Sequence, residues 1–347
     1  MNLYLILIIV ICLIGIKFQF KDFNKEYLSK DTTSCIKGIF ILIVFYSHLC
    51  AYIPIQLEKD GIMLFVRNFL GQLMVTMFLF YSGYGVYESI KKKKEKYINS
   101  IPKKRILKTL LHFDVAVLTF AIVNAITGYP KSISNILWAL TGWGGLGNSN
   151  WYIFAILFLY FGTYLSFNLL GKEPKKAVAF NWIYTIALMI VISVFKGEGY
   201  NYCYNTLLCY PLGMTYSLYK TKIESIIFNN KNYLLTLPTI IVLFIAVKQN
   251  ESINDLWYSI TSICFVLTVL LITMKVNIKN PILKWFGDNL FWIYILQRLP
   301  MLVLSRMGYA VTHAYRFAII CFVVTIVLTI IYKKIFEVID KKIFEKQ

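Results

Sequence analysis

Long runs of apolar residues alternate with short polar stretches along the 347 residues of the chain. The runs are about twenty residues long, which is the length that a helix needs to cross the hydrocarbon core of a bilayer. They are continuous in Leu, Ile, Val and Phe, whereas barrel strands alternate between apolar and polar positions. The pattern therefore predicts an all-α fold, a polytopic transmembrane helical bundle with about 10–11 spanning helices. The predicted spans lie near residues 2–19, 35–54, 62–87, 106–127, 151–170, 177–195, 203–219, 232–248, 256–274, 284–305 and 315–333.

Composition supports the same interpretation and leaves no room for a soluble domain. The chain is 58% hydrophobic, and its mean hydropathy is +0.64. The first apolar stretch lacks the basic start and the small-residue cleavage site of a signal peptide, and its cations, Lys17 and Lys21, follow it. We therefore expect residues 1–30 to form an extra N-terminal membrane anchor helix with its loop, and residues 31–347 to form the main membrane domain.

The charge of the chain indicates its orientation in the membrane. The chain contains 36 Lys and Arg but only 17 Asp and Glu, which gives a formal net charge of +19. In a soluble protein this charge would suggest a nucleic-acid partner. Here the cations cluster at alternate span ends, which is the distribution that the positive-inside rule describes. We therefore interpret the charge as a topology signal of a multi-pass protein of the cell membrane and expect no nucleic-acid partner. The rule places the C-terminus in the cytoplasm and the N-terminus outside. The predicted cytoplasmic clusters are 20–34, 91–105, 172–176, 220–231, 275–279 and 333–342.

The seven cysteines do not predict a disulfide framework or a metal site. Their number is odd, they show no C-x-x-C spacing, and most lie within predicted spans.

One histidine stands out among three. His48 lies inside the second predicted span, and an ionisable group within a span is a functional hypothesis by default because its burial is costly. Lys37 lies eleven residues earlier, which at about 100° and 1.5 Å per residue places both side chains on one helix face roughly 16 Å apart. Ile41 and Val44 lie between them, so this face suggests a channel for a long donor with an anionic head. A neutral histidine held by hydrogen bonds inside the bundle is the structural alternative.

This segment resembles membrane acyltransferase family 3, whose signature opens with a basic residue, an apolar run and a histidine at the same spacing. The resemblance covers about residues 31–333. It continues through five further segments in the expected order: Phe78–Tyr84, Lys103–Ile106, Trp151–Tyr152, Tyr210–Gly213 and Trp285–Gln297. The chain departs from the family pattern at Lys37, where many members carry Arg, and in its additional first span.

The resemblance implies an acyltransferase membrane domain over 31–347. Such an enzyme moves an acyl group, usually acetyl, from cytosolic acyl-CoA to a hydroxyl of a cell-surface or exported carbohydrate. Acyl-CoA would be a donor substrate, and no permanently bound cofactor is expected. His48 is the predicted general base, with Gln297 and Arg298 as further catalytic candidates that contact the acceptor, the thioester or the developing oxyanion.

The remaining candidates are binding residues. Cations at the cytosolic mouth would meet the phosphates of CoA; the candidates are Lys37, Lys103, Lys104 and Arg105. Aromatic side chains near the outer surface would stack on a sugar; the candidates are Trp143, Trp151 and Tyr152.

Each of these candidates also has a structural or topological interpretation. The lysine cluster at 103–105 also serves as a topology signal, Gln297 and Arg298 as interhelical hydrogen-bonding groups, and the outer tryptophans as an interfacial belt. For Ser82 and its neighbouring glycines we expect a helix-contact role, and for His112 with Asp114 a structural one. At the level of the whole protein, the alternatives are a transporter or flippase of lipid-linked or polymeric sugars, which would favour paired broken helices or internal repeats, and a catalytically silent scaffold.

Overall fold

The computed structural model describes residues 2–54 and 57–344. Residue 1, at the start of the predicted anchor, and residues 345–347, at the end of the predicted domain, lie outside the described residues. Seventeen helices are present in this part of the chain: α1 (Asn2–Leu13), α2 (Lys30–Leu49), α3 (Leu57–Leu70), α4 (Leu73–Lys93), α5 (Glu95–Ile98), α6 (Lys108–Ile126), α7 (Ile133–Leu140), α8 (Trp151–Leu170), α9 (Pro174–Lys196), α10 (Cys209–Ile227), α11 (Asn230–Lys248), α12 (Asp255–Thr273), α13 (Pro281–Asp288), α14 (Leu290–Leu296), α15 (Arg298–Arg306), α16 (Tyr309–Thr312) and α17 (Ala314–Ile343).

Short irregular helices complete these elements. A π-helical segment, Pro102–Leu107, leads into α6, and a 3-10 turn, Asn201–Cys203, precedes α10. Two strands of three residues, β1 (Ile16–Phe18) and β2 (Val276–Ile278), pair antiparallel. With so little strand, the fold is all-α, as predicted.

Eight helical segments of the described chain are long and apolar enough to cross a membrane, which confirms the multi-pass helical bundle. They are Lys30–Leu49, Asp60–Lys93, Glu95–Ile126, Trp151–Leu170, Pro174–Lys196, Asn230–Lys248, Asp255–Thr273 and Ala314–Ile343.

Three predicted spans take other forms, each for a physical reason. The stretch 2–19 folds as a helix of 12 residues, about 18 Å long, followed by β1. The stretch 203–219 becomes part of α10, a helix of 19 residues whose second half carries Lys220, Lys222 and Glu224. The stretch 284–305 is divided into α13, α14 and α15.

The division of this last segment has a local cause. Pro300 has no backbone N–H, and its ring clashes with the carbonyl four residues earlier, that of Leu296. The helix is accordingly interrupted at Gln297, and it is interrupted again at Asn289. A similar break at Gly71 and Gln72 separates α3 from α4, where Gly71 has φ of 45°. Irregular backbone at membrane depth is tolerated where it is buried in protein or lines a cavity.

Two helix pairs are in backbone contact through glycine. A Cβ atom on Gly38 of α2 would lie 1.9 Å from the carbonyl oxygen of Leu283, and one on Gly287 of α13 would lie 1.8 Å from that of Ser34. The pair α4 and α10 behaves in the same way: a Cβ on Gly83 would lie 2.0 Å from the carbonyl oxygen of Tyr210. Small residues at interfaces allow such close packing in membranes. The helix-contact role expected for the glycines beside Ser82 is therefore confirmed for Gly83 but not for Gly85, where a Cβ would meet no heavy atom within 4 Å.

The N-terminal helix is fastened to the rest of the bundle near the predicted cytoplasmic side. The side-chain amide of Asn280 donates to the carbonyl oxygens of Ile11 and Ile14, at 2.8 and 3.0 Å. The side-chain oxygen of the same residue caps α13 by accepting from Leu283 N–H at 3.0 Å. One buried asparagine thus links the end of α1 to the start of the segment that carries Gln297 and Arg298.

Candidate functional site

Helix α2 carries both residues of the predicted signature without interruption. It is capped by Ser29, whose hydroxyl accepts from Thr32 N–H at 3.3 Å, and it continues to Leu49, so His48 lies in its last turn. The regular helix keeps Lys37 and His48 on one face. The distance along the axis remains about 16 Å.

His48 opens into a cavity of about 300 Å³ at the end of the bundle that is predicted to face outward. Arg298 and Trp151, both predicted from the sequence, line the same cavity. Most of the other lining residues are polar or aromatic. They come from the end of α3 and the break before α4, the loop before α8, the 3-10 turn before α10, and α14, and they include Arg67, Gln72, Asn148, Ser149, Tyr202 and Tyr294. The structure thus assembles the cavity from five separate stretches of sequence around the imidazole.

Several polar atoms at this cavity are buried without a hydrogen-bond partner among the described residues. They are His48 Nδ1, Asn148 Nδ2, Ser149 Oγ, Tyr294 OH and Arg298 Nε. Buried polar atoms in proteins are nearly always paired, so such a concentration requires an explanation. A cavity lined by unused donors and an imidazole is suited to a polar ligand.

The outer rim adds a further donor. Tyr202 lies in the 3-10 turn before α10, and burial raises the pKa of its phenol. A phenol is protonated at neutral pH even without this shift, so Tyr202 carries an O–H donor at the rim. Its ring also lies 6.4 Å from that of Trp151.

Gln297 takes a different position from Arg298. Its side chain is fully buried, its Nε2 donates to Tyr294 O at 3.3 Å, and its Oε1 has no partner among the described residues. Gln297 lies beside the backbone of Tyr294 and does not line the cavity. Two of the three predicted catalytic residues, His48 and Arg298, therefore share the cavity.

The three predicted aromatic binding residues also separate. Trp151 lines the cavity, whereas Tyr152 lies behind it with its ring 5.6 Å from that of Tyr294. Trp143 does not line the cavity. Its ring centroid lies 5.0 Å from that of Phe154 and 4.1 Å from Lys196 Nζ. The glycine-rich outer loop thus holds Trp143 in a cation–π contact away from His48.

At the predicted cytosolic end of α2, Lys37 is half-buried and forms no hydrogen bond or ion pair with a described residue. The carboxylate of Asp288 is already engaged: it accepts from Ser34 Oγ at 2.6 Å and from Lys284 Nζ at 2.9 Å. The positive charge of Lys37 is therefore not neutralised by a direct partner.

The expected channel between the two residues is closed in the structure. Ile41 is fully buried, and together with Phe45 it packs against Phe286 and Phe322. Val44 lines the His48 cavity but is itself buried. Helix periodicity places both residues correctly on α2, but it carries no information on the neighbouring helices that fill the space between them.

The second predicted cationic cluster lies in the π-helical segment before α6. Arg105 is half-buried and donates through Nε to Tyr97 OH at 3.0 Å, whereas Lys104 is exposed and Lys103 is partly exposed. No hydrogen bond or ion pair of the described residues joins this cluster to Lys37.

A row of polar and aromatic side chains that the sequence did not reveal leads from Arg105 toward the cavity. The Tyr160 phenol lies close enough to Arg105 and to Ser82 to interact with both electrostatically. Ser82 also interacts with Tyr152, which contacts Tyr294. Periodicity could not have indicated this row because its members lie on several different helices.

Arg67 was also missed, although a signal was present. It lies inside the predicted span 62–87, where it shares the feature that distinguishes His48, an ionisable group in an apolar run. His112 has the structural role expected but a different partner: its Nε2 lies 2.8 Å from Asp340 Oδ1, which ties α6 to α17.

The chain was compared with protein families, with curated proteins and with solved structures. The sequence model of an acyltransferase domain family matches residues 34–333. No curated protein and no solved structure matches the chain.

Proposed function

The chain belongs to membrane acyltransferase family 3, and from this premise we propose that it acetylates a carbohydrate hydroxyl at the outer face of the cell membrane. The donor would be acetyl-CoA from the cytosol, and the acceptor a cell-surface or exported carbohydrate. The observation that carries the proposal is the position of His48: it lines an outer cavity with Arg298, on the helix whose inner end bears the unpaired Lys37.

His48 acts as the general base in this mechanism. Its imidazole takes the proton of the acceptor hydroxyl while the hydroxyl oxygen attacks the thioester carbonyl carbon. A new C–O ester bond forms, the C–S bond breaks, and the imidazolium returns its proton to the departing CoA thiolate. Arg298 would stabilise the negative charge that develops on the carbonyl oxygen. A transient acyl-imidazole is the alternative route through the same residue.

The donor would be held by cations at the cytosolic end. Lys37, Lys103, Lys104 and Arg105 supply positive charge for the phosphates of CoA. Because Ile41 and Val44 fill the direct path, the pantetheine arm must displace side chains to reach His48. The row of Tyr160, Ser82 and Tyr152 offers polar contacts for an amide-containing arm.

The acceptor would bind from the outside. Trp151 at the cavity wall provides an apolar face for a sugar ring. Tyr152 would support Tyr294 from behind, Gln297 would hold the backbone of Tyr294, and Trp143 would bind a more distant part of a longer acceptor.

A transporter or flippase remains the second candidate, because one observation favours it. Two helical segments are broken beside the cavity, at Gly71–Gln72 and at Gln297, and discontinuous helices are common in transporters. Vesicles that contain the protein and a fluorescent lipid-linked sugar distinguish the two. A transporter moves the lipid without acyl-CoA, whereas the proposed enzyme does not.

The proposed activity is tested in cells that lack the protein. We expect their surface carbohydrate to lose an acetyl ester, detected by mass spectrometry before and after mild alkali. The wild-type protein and a His313→Ala variant, altered at an exposed histidine, should restore the ester, and His48→Ala should not. An unchanged ester content in every surface polymer would rule out the proposal.

A further inference from the structure

The cavity around His48 contains two arginines and no carboxylate among its lining residues. Arg67 reaches it from α3, and Arg298 reaches it from the start of α15. Neither arginine forms an ion pair with a described residue. Two guanidinium groups of the same sign thus face one small space.

Such an arrangement is costly in a membrane bundle. Charged side chains within spans are normally paired or face water because their desolvation is unfavourable. Two like charges that face one space also raise each other's energy. Arg298 Nε is buried without a partner among the described residues. An anionic ligand would relieve both charges.

The neutral groups of the cavity point to the same chemistry. Asn148 Nδ2, Ser149 Oγ and Tyr294 OH can all donate a hydrogen bond, and none has a partner among the described residues. Asn150 differs, because its side-chain amide donates to the carbonyl oxygens of Gly142 and Gly144 at 2.9 and 2.7 Å. The uncommitted groups are therefore mostly donors, which suits a ligand rich in acceptor oxygens.

We propose that the acceptor is an anionic carbohydrate whose carboxylate or phosphodiester binds between Arg67 and one edge of the Arg298 guanidinium, next to the hydroxyl presented to His48. The five N–H donors of Arg298 leave others free to face the thioester carbonyl oxygen. The planar fork of Arg matches both anions. This proposal rests on the function proposed above and specifies its substrate class. Arg67 would bind the acceptor and not the donor, since CoA phosphates held near Lys37 would be about 16 Å along α2 from His48.

The test uses full-length protein in phosphatidylcholine nanodiscs with radiolabelled acetyl-CoA. Three acceptors are compared: an oligosaccharide of hexuronic acid, the same oligosaccharide with the carboxylates reduced to primary alcohols, and an oligomer of glycerol phosphate. We expect kcat/KM for one or both anionic acceptors to exceed that for the neutral one by on the order of tenfold or more. Which anion is preferred distinguishes a carboxylate from a phosphate site.

Substitutions attribute the preference to Arg67. Arg67→Gln should remove most of it by raising the KM for the anionic acceptor about tenfold, while Arg67→Lys should retain part of it. The matched control is Arg316→Gln, at an exposed arginine near the start of α17, which should keep the full preference. The acetyl-CoA KM should not follow the acceptor KM in any of these variants.

Equal use of charged and neutral acceptors by the wild-type protein would overturn the proposal. So would an Arg67→Gln variant that loses both acceptors equally or chiefly raises the acetyl-CoA KM. A preference that disappears in phosphatidylglycerol nanodiscs would assign the arginines to a lipid headgroup instead. Measuring the direct binding of the hexuronic acid and glycerol phosphate oligomers separates this inference from the proposed function. Binding that depends on Arg67, without transfer, contradicts only the proposed function. Transfer without binding that depends on Arg67 contradicts only this inference.

Discussion

Lys37 carries a positive charge that no described carboxylate neutralises directly, although Asp288 lies on the neighbouring helix α13. Ser34 and Lys284 already occupy that carboxylate. A cation in this state retains its capacity to attract the phosphates of a donor.

We therefore expect Lys37→Gln to raise the KM for acyl-CoA about tenfold, the loss of one charge-assisted contact, with some fall in kcat because remote binding energy helps to hold the thioester. Lys37→Arg should preserve or improve activity, since Arg adds a bidentate fork. Steady-state kinetics with varied donor and acceptor provide the measurement. Lys25→Gln, at an exposed lysine of the same predicted cytoplasmic side, is the control. An unchanged donor KM with weaker use of the acceptor would show that the donor does not approach along this face.

At this scale the sequence was informative where one helix is uninterrupted. The relation between Lys37 and His48 follows from helix geometry alone, and α2 preserves it. The surroundings of Gln297 and Arg298 could not be predicted in the same way, because the segment is divided at Gln297 and the groups around each side chain come from other helices. The sequence shows Arg67 as a charge inside the apolar span 62–87, but it does not show the break at Gly71 and Gln72 beside the cavity that Arg67 lines.

Among the elements, the contact between α2 and α13 positions the site, because one helix carries His48 and the other leads to Arg298. Gly38 and Gly287 permit this contact, with no space for a Cβ atom on either. Gly85 of α4 has no heavy atom within 4 Å of where its Cβ would be. Gly85 is therefore a matched control for substitutions of Gly38 and Gly287.

Gly38→Ala and Gly287→Ala should each destabilise the protein by about 1–3 kcal/mol, because overpacking forces the two backbones apart. They should also lower transfer activity. Gly85→Ala should leave stability unchanged or raise it, since Ala is the better helix former. Thermal unfolding in detergent, followed by fluorescence, measures the difference. Equal melting temperatures for Gly287→Ala and Gly85→Ala would contradict the close packing of these helices.

The loop before α8, on the predicted outer side, depends on a buried asparagine. Asn124 accepts from Arg306 Nη2 at 2.6 Å and donates to Leu146 O at 2.9 Å. Leu146 N–H in turn donates to Asn148 Oδ1 at 2.8 Å. This chain of hydrogen bonds places Asn148 at the cavity.

Asn124→Ala should therefore raise the acceptor KM severalfold while leaving the donor KM unchanged, because the loop lines only the outer cavity. Asn250→Ala is the control, since the Asn250 amide donates only to Ala246 O of the preceding helix at 3.0 Å. Acceptor titrations of both variants provide the comparison. A donor KM that rises in Asn124→Ala would mean that the loop acts on the whole bundle.

For the molecule as a whole, hydropathy predicted the class of fold because bilayer thickness imposes helix length. It could not predict that α1 would be short, since β1 pairs with a strand more than 250 residues away in the sequence. It also could not predict the broken segment 281–306, whose apolar composition conceals the effect of Pro300. The positions of the cavity walls depend on tertiary packing and were accessible only from the structure.

The orientation of the bundle is a prediction that reporter tags can test. Tags within 91–104 and after Lys342 should report a cytoplasmic location, and tags beside Lys131 or Glu251 an external one, because the clustered cations remain inside. Accessibility of each tag to an antibody, in intact and in permeabilised cells, provides the measurement. An external C-terminus would invert the bundle and place Lys37 on the side without acyl-CoA.

The central claim is that the donor enters from the cytosolic end of α2 and that its acyl group is accepted at His48 on the outer side. Sealed vesicles with the protein in one orientation test it directly, with radiolabelled acetyl-CoA on the cytosolic face only and the carbohydrate acceptor on the other. We predict labelled ester on the acceptor for the wild-type protein and for His313→Ala, and none for His48→Ala when that variant is folded and inserted. Transfer by His48→Ala, or transfer only when acetyl-CoA is supplied at the outer face, would contradict the account.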